Sequence, residues 1–412
     1  MPRALLPLLA FVTLLPLSAA AADRAATERA FDRWLDAVVW PLARADGIGR
    51  ETYQRSLGEV TLDWDLPGLD LPHDGGPAED AQVEFGAPAR YFRQQRIDDI
   101  VRAGRRKAAT HRATLDRVAA ATGVPAHILL AIWGRETGFG GVRPRQDAFR
   151  VLAARGFFGP DGDYFTGELV AALGIVQDGL SPDGPALLAS WAGAMGQPQF
   201  MPTSFRAYGA DGDGDGRVDI WNSAADSIAS IASFLALHDW VPGRDWGFEV
   251  RLPDDVSCTL EGPDRGRPIS DWAAMGVTRV SGRPFPAPEA AGVGFLMLPA
   301  GRLGPAFVVT PNFHVLKRYN QSDLYALYIG HVGDRIAYDM GAFRAAWRPL
   351  DRLLRSDIRT IQAGLAGMGH DVGGVDGLPG FKTRRSIGRW QEAQGEQATC
   401  FPDRSLVTAL SR

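Results

Sequence analysis

Apolar residues recur at helical spacing along most of this 412-residue chain, and the pattern changes in one stretch. In residues 23–122, Phe31, Trp34, Leu35 and Val38 form one stripe of an amphipathic helix. Residues 65–86, rich in Pro, Gly and Asp, read as a long surface loop, and residues 96–121 as a basic amphipathic helical region. Gly123-Val-Pro125 opens a further helix in which Ile128, Leu129, Ile132 and Trp133 share a face. Residues 224–237 and 312–330 repeat the helical period. Between residues 246 and 310, short β-favouring runs such as 248–252 and 306–310 are separated by Gly, Pro and Asp, which predicts a small inserted sheet. In residues 350–412, Ile358, Ile361 and Leu365 lead through a glycine turn to Ile387 and Trp390, a small three-helix module. The pattern predicts a mainly α protein: a helical N-terminal part, a small β part and a C-terminal helical module.

The N-terminus changes the picture of where the chain works. Met1-Pro-Arg3 precedes an apolar run over residues 4–17, and residues 18–22 are small, so residues 1–22 read as a secretory signal peptide. That run is short and interrupted by proline, which argues against a membrane anchor, and no cysteine lies beside the cleavage point to take a lipid. The expectation is a soluble exported protein with a mature main domain over 23–345 and the module over 350–412. The formal charge of −4 argues against a nucleic-acid binder. Cys258 and Cys400 could pair in an oxidising compartment, but their spacing leaves that open.

Candidate chemistry begins with Glu136, which continues the apolar face of its helix just before a glycine-rich turn. Desolvation on such a face favours the neutral carboxyl and raises its pKa, as a general acid for glycosidic cleavage requires. A cap or an ion pair with Arg135 is the plainer account of a glutamate at a helix end. Residues 190–204 are dense in small residues, which lets backbone approach a ligand, with Ser190 and Gln199 as hydrogen-bonding groups; a tightly packed loop has the same composition. Asp211-Gly-Asp213-Gly-Asp215-Gly-Arg-Val-Asp219 matches nine positions of a calcium loop, with Asp226 placed to complete the shell where Asn222 replaces the usual glutamate. A solvated acidic turn is the alternative. Tyr319, Asn320 and Tyr325 suit stacking on a sugar and hydrogen bonding to it, although such aromatics more often fill a core. Residues 346–412 carry ten Lys or Arg against seven Asp or Glu, a mildly basic balance that suits an anionic polymer or simply a solvated face.

Together, residues 131–136, 190–196, 199–202 and Tyr319-Asn320 resemble the lytic murein transglycosylase B family, and the likeness extends to about residue 345. The tail, with Val375-Asp-Gly377 and Phe381-Lys-Thr383, resembles the common peptidoglycan-binding module. The resemblance implies a lysozyme-like helical core and cleavage of the β-1,4 bond between N-acetylmuramic acid and N-acetylglucosamine, leaving a 1,6-anhydromuramoyl end. It assigns Glu136 as acid and then base. It places Ser190, Gln199, Tyr319, Asn320 and Tyr325 along the glycan groove, and a structural Ca2+ at Asp211, Asp213, Asp215, Asp219 and Asp226. It implies peptidoglycan strands as the partner, other cell-wall enzymes beside it, and a periplasmic location.

Two positions depart from the family pattern. Gln197-Pro198 replaces a frequent Tyr-Gly, removing an aromatic wall of the groove, and Phe234 replaces a frequent tyrosine. Two-carboxylate glycosidases pair an acid with a second carboxylate, and no second acid in a comparable apolar stripe is evident in the sequence. A lone acid suffices if the 2-acetamido group of the substrate supplies the nucleophile. A hydrolytic muramidase of the same fold, a non-catalytic wall-binding scaffold and a calcium-regulated protein are the competing readings.

Overall fold

The computed structural model describes residues 16–67, 69, 88–159, 161–182 and 186–411. Most of the predicted signal peptide and of the 65–86 loop lies outside the described residues. The chain forms two compact units: Met1–His73 with Arg145–Ala194 and Met201–Thr203, and Asp74–Pro144 with Met195–Phe200 and Ser204–Arg412. As the sequence predicts, the protein is mainly α-helical.

In the first unit, helix Pro16–Trp34 runs into a π-helical turn, Leu35–Val39, and then helix Trp40–Ala45. The wider turn corrects the predicted stripe. An α-helical register would bring Val38 beneath Phe31; the π turn instead buries Phe31, Leu35 and Val39 and leaves Val38 41% exposed. Helices Ala148–Phe158 and Gly162–Gln177 pack on each other and supply Phe149, Leu152, Leu169 and Leu173 to the core. A two-stranded antiparallel pairing of Gln146–Asp147 with Leu188–Ala189 closes the segment that leads to Ser190.

In the second unit the basic region predicted as one helix breaks at His111 into helices Gln94–Thr110 and Arg112–Thr122. Helix Ala126–Thr137 follows, with Pro125 in extended backbone at its N-cap. It packs against Gln94–Thr110, Ala224–Leu237 and Asp323–Ala337. The predicted one-sided stripe is therefore too narrow: every residue from Ile128 to Gly134 is buried. The β part is a five-stranded antiparallel sheet in the spatial order Arg267–Pro268, Val293–Met297, Ala306–Val309, Gly247–Arg251, Thr278–Arg279. Trp272, Ile269 and Val308 are fully buried in the core beside it.

The predicted helical stretch 312–330 divides into helix Pro311–Tyr319 and helix Asp323–Ala337, the second N-capped by the Ser322 hydroxyl accepting from the Tyr325 N–H. In the tail, helices Arg355–Gly367, Phe381–Ala393 and Arg404–Leu410 enclose a small core of Ile361, Leu365, Ile387 and Leu406. A disulfide joins Cys258 beside the sheet to Cys400 in the tail. Among the described residues no single helix is long and apolar enough to cross a membrane; Arg112–Thr122 and Ala126–Thr137 pass together but are bent by 114°.

Candidate active site

Glu136 is the penultimate residue of helix Ala126–Thr137, which stops at Gly138 in the left-handed conformation. Its Oε1 accepts a hydrogen bond from the Tyr325 hydroxyl at 2.6 Å. Burial raises its pKa above the ordinary carboxylate range; the Tyr325 hydrogen bond and the Arg135 charge oppose that shift without reversing it. The neighbouring phenols are held well above the usual tyrosine range, first by burial and then by the Glu136 charge. Both therefore stay protonated near neutral pH and can donate.

The rings of Tyr319 and Tyr325 lie nearly parallel, 6.4 Å apart at 9°. Tyr319 donates from its hydroxyl to the Pro198 carbonyl at 2.7 Å, which ties the end of helix Pro311–Tyr319 to the turn that bears Gln199. That turn is a tight reversal closed by Met195 N–H to Phe200 O (2.7 Å) and Phe200 N–H to Met195 O (3.0 Å). Gly196 takes φ +63°, and a Cβ there would stand 2.7 Å from the Ile220 carbonyl oxygen, so only glycine fits. Gln199 also has positive φ, and its Nε2 donates to the Gly196 carbonyl at 3.0 Å, leaving one amide hydrogen for another partner. Asn320 is exposed and uses Oδ1 to accept the Ser322 N–H, fixing the turn between the two helices.

Gln197, which stands where the family frequently has tyrosine, is buried and fastens the turn to the acid-bearing helix. Its Oε1 accepts from Trp133 Nε1 (2.8 Å), its carbonyl from Thr137 Oγ1 (2.9 Å), and its Nε2 donates to the Trp221 carbonyl (3.2 Å). Gly140 makes room for it, since a Cβ at that position would meet Oε1 at 2.5 Å. Phe234 packs edge-on against Tyr319 at 4.9 Å and stacks on His238 at 4.1 Å, so this position supports the tyrosine by contact. Arg135 carries more than the sequence suggests. Its guanidinium lies over Tyr91 and Tyr328, at 4.8 and 5.1 Å, and donates to the Tyr91 hydroxyl at 2.9 Å. Long-range aromatic partners of this kind leave no periodic signal in a sequence.

Ser190 belongs to the first unit. Its hydroxyl oxygen accepts from the Ala192 and Ala194 N–H groups (3.4 and 3.2 Å), which shapes the turn and leaves the Trp191 indole 54% exposed above Arg155. The same unit corrects the expectation that no second acid sits in an apolar stripe. Glu168 adjoins the apolar run Leu169–Val176, is 3% exposed, and accepts from the N–H (2.9 Å) and hydroxyl (2.6 Å) of Thr203. Both of its carboxylate oxygens thus have hydrogen-bond partners, as buried polar groups require.

The acidic loop divides the five predicted metal ligands. Carboxylate oxygens of Asp211, Asp213 and Asp226 converge within 4.8 Å of one another. Asp215 accepts from the Arg217 N–H, and Asp219 from the N–H groups of Trp221 and Asn222. Asp226, 2% exposed, also accepts from Gly212 and Asp219 N–H, binding the loop to the start of helix Ala224–Leu237. Three converging carboxylates form a hard oxygen donor set that fits a cation such as calcium.

Comparison with known proteins agrees with this geometry. Residues 30–334 match the family described as Transglycosylase SLT domain. The chain is 33% identical over 233 residues to membrane-bound lytic murein transglycosylase B of Escherichia coli (strain K12), a match spanning 54% of this chain and 60% of that protein. SltB3 from Pseudomonas aeruginosa, solved with NAG-NAM-pentapeptide, superposes with TM-score 0.81 and 36% identity over 92% of this chain and 99% of its own. The same protein solved with NAG-anhNAM-pentapeptide gives 0.78 and 35% over 93% and 99%. Escherichia coli Slt35, in complex with calcium, gives 0.56 and 26% over 74% of this chain and 91% of that one. The fold is the lysozyme-like one of these lytic transglycosylases, and the chain belongs to the transglycosylase SLT-domain family.

Proposed function

We propose that this protein is a lytic transglycosylase that cleaves the β-1,4 bond between N-acetylmuramic acid and N-acetylglucosamine in peptidoglycan. The observation that carries the reading is the Glu136 carboxyl, shifted toward its neutral form by burial and held by the Tyr325 hydroxyl. Neutral Glu136 protonates the leaving glycosidic oxygen while the substrate's 2-acetamido oxygen bonds to the anomeric carbon. The resulting carboxylate, steadied by Tyr325, then takes the proton of the C6 hydroxyl. The C6 oxygen displaces the acetamido oxygen, and the 1,6-anhydro ring closes without water. Tyr319, tied to the Gln199 turn by its hydrogen bond to the Pro198 carbonyl, Gln199 and Asn320 serve as sugar contacts, and the family resemblance assigns the same role to Ser190. The complexes of SltB3 with NAG-NAM-pentapeptide and with NAG-anhNAM-pentapeptide support this substrate and this product.

Calcium held by Asp211, Asp213 and Asp226, with Asp215 and Asp219 shaping the loop, serves structure; Slt35 in complex with calcium supports this. The N-terminal 1–22 segment exports the chain to the periplasm, a reading supported by the Cys258–Cys400 disulfide, since such bonds persist in oxidising compartments. The 350–412 module holds the wall while the 23–345 domain cleaves it.

The test is mass spectrometry of muropeptides released from intact peptidoglycan by the mature protein and by Glu136→Gln. Anhydro products, lighter by one water than hydrolysis products and lost by at least about a thousandfold in the variant, are expected. Ordinary reducing ends would make the enzyme a hydrolytic muramidase. Wall binding without products would make it a scaffold.

A further inference from the structure

A cavity of about 400 Å³ opens between the end of strand Gly247–Arg251, the 298–306 hairpin, the 344–348 linker and residues 397–399 of the tail. Four arginines line it, Arg251, Arg302, Arg344 and Arg348, against one carboxylate, Asp254. Arg302 is committed: its guanidinium donates to the carbonyls of Pro253, Asp254 and Val256 and lies 3.8 Å from the Asp254 carboxylate. Asp255 and Glu392 also act on it. Arg251, Arg344 and Arg348 form no ion pair among the described residues. Glu249, the acid that feels the Arg344 charge, is itself engaged by the backbone N–H groups of Arg344 and Ala345 at 3.0 and 2.8 Å.

The walls are fastened. Arg348 N–H donates to Leu303 O and Arg302 N–H to Thr399 O, both at 2.8 Å, and the Cys258–Cys400 bond anchors the tail segment next to Thr399. Holding like charges around one cavity is unfavourable unless an anion joins them, and guanidinium forks match carboxylates in a bidentate fashion. The volume suits a few residues of peptide, and Val250, Leu252 and Leu298 supply apolar wall for short aliphatic side chains.

We infer that this arginine-lined cavity binds the carboxylates of a peptidoglycan stem peptide, so that the enzyme recognises the peptide apart from the glycan. The inference rests on the proposed peptidoglycan substrate. Isothermal titration of the isolated stem tetrapeptide (alanine, glutamate, diaminopimelate, alanine) into the wild-type protein and an Arg344→Gln/Arg348→Gln variant tests it. The expected result is binding by the wild type that weakens at least tenfold in the variant and with added salt. Cleavage of peptide-free glycan strands should be the same in both. No binding by the wild type, or equal binding by the variant, overturns the inference. Inorganic phosphate or an all-L acidic peptide that binds as tightly as the stem peptide also overturns it, in favour of a general anion site or a protein partner. Arginine-dependent peptide binding by a protein that cleaves neither whole wall nor peptide-free glycan would keep the site and refute the proposed activity.

Discussion

A carboxyl group that first gives and then takes a proton must reach both forms near neutral pH. For the role proposed for Glu136, burial favours the neutral acid, while the 2.6 Å hydrogen bond from Tyr325 and the Arg135 charge favour the anion. Tyr325→Phe removes one of the two influences that favour the anion. The Glu136 pKa should then rise further, so the alkaline limb of the pH–rate profile, where the acid ionises, moves to higher pH. Loss of positioning should lower kcat by about ten- to a hundredfold. A pH profile of kcat/KM with an unmoved alkaline limb would show that the phenol does not stabilise the working carboxylate. Glu136 as a buried acid was legible because a charge on an apolar stripe is conspicuous. Its pairing with Tyr325 was not, since the two are separated by 189 positions.

At the scale of elements, the acidic loop and the helix it precedes form one device. Asp211, Asp213 and Asp226 repel one another where they converge, and Asp226 ties the loop to helix Ala224–Leu237, which carries Phe234 to Tyr319. Bound calcium should stabilise the native state by mass action, about 3 kcal/mol at a hundredfold excess over Kd. Chelation should therefore lower Tm, and Asp211→Asn should abolish the dependence of Tm on calcium, as calorimetry with and without chelator would measure. The loop was legible from alternating acids and glycines. Which acids converge was not, because it depends on how the loop folds back onto the start of helix Ala224–Leu237, where Asp226 accepts from the Gly212 and Asp219 N–H groups.

At the scale of the whole molecule, the tail is bound into the second unit by a disulfide and a buried ion cluster. Arg384 of the tail bonds Glu261 at 2.5 and 3.1 Å and approaches Asp323 at 3.6 Å, with Arg384 and Glu261 both almost inaccessible. Asp323 is the first residue of the helix that presents Tyr325. Arg384→Met leaves the buried Glu261 carboxylate without its cation, while Asp323 keeps Lys317 at 2.7 Å, and should cost about 3–5 kcal/mol in urea unfolding. Adding Glu261→Gln should recover part of that loss. Cys258 and Cys400 lie 142 positions apart. Replacing both by serine should cost roughly 4–5 kcal/mol by releasing a loop of that length in the unfolded chain. Equal unfolding midpoints with and without reductant would contradict this.

By itself the sequence determined the features that local period and residue type dictate. Helical stripes, β-favouring runs between turns, the acid on an apolar face and the alternating acidic loop all act over a few residues, where side-chain spacing decides which surfaces can be buried. Tertiary structure decided what depends on partners distant in the chain. It turned Val38 outward and Val39 inward through a π turn, and it buried Gln197 as the clasp between a tight reversal and the acid-bearing helix. It joined Glu168 to Thr203 by two hydrogen bonds and left Glu136 to be raised by burial. It also closed the disulfide and gathered arginines from separate segments around one cavity. The physical reason is the same in each case: desolvation and hydrogen bonding are set by the atoms that surround a group, and chain order does not specify them.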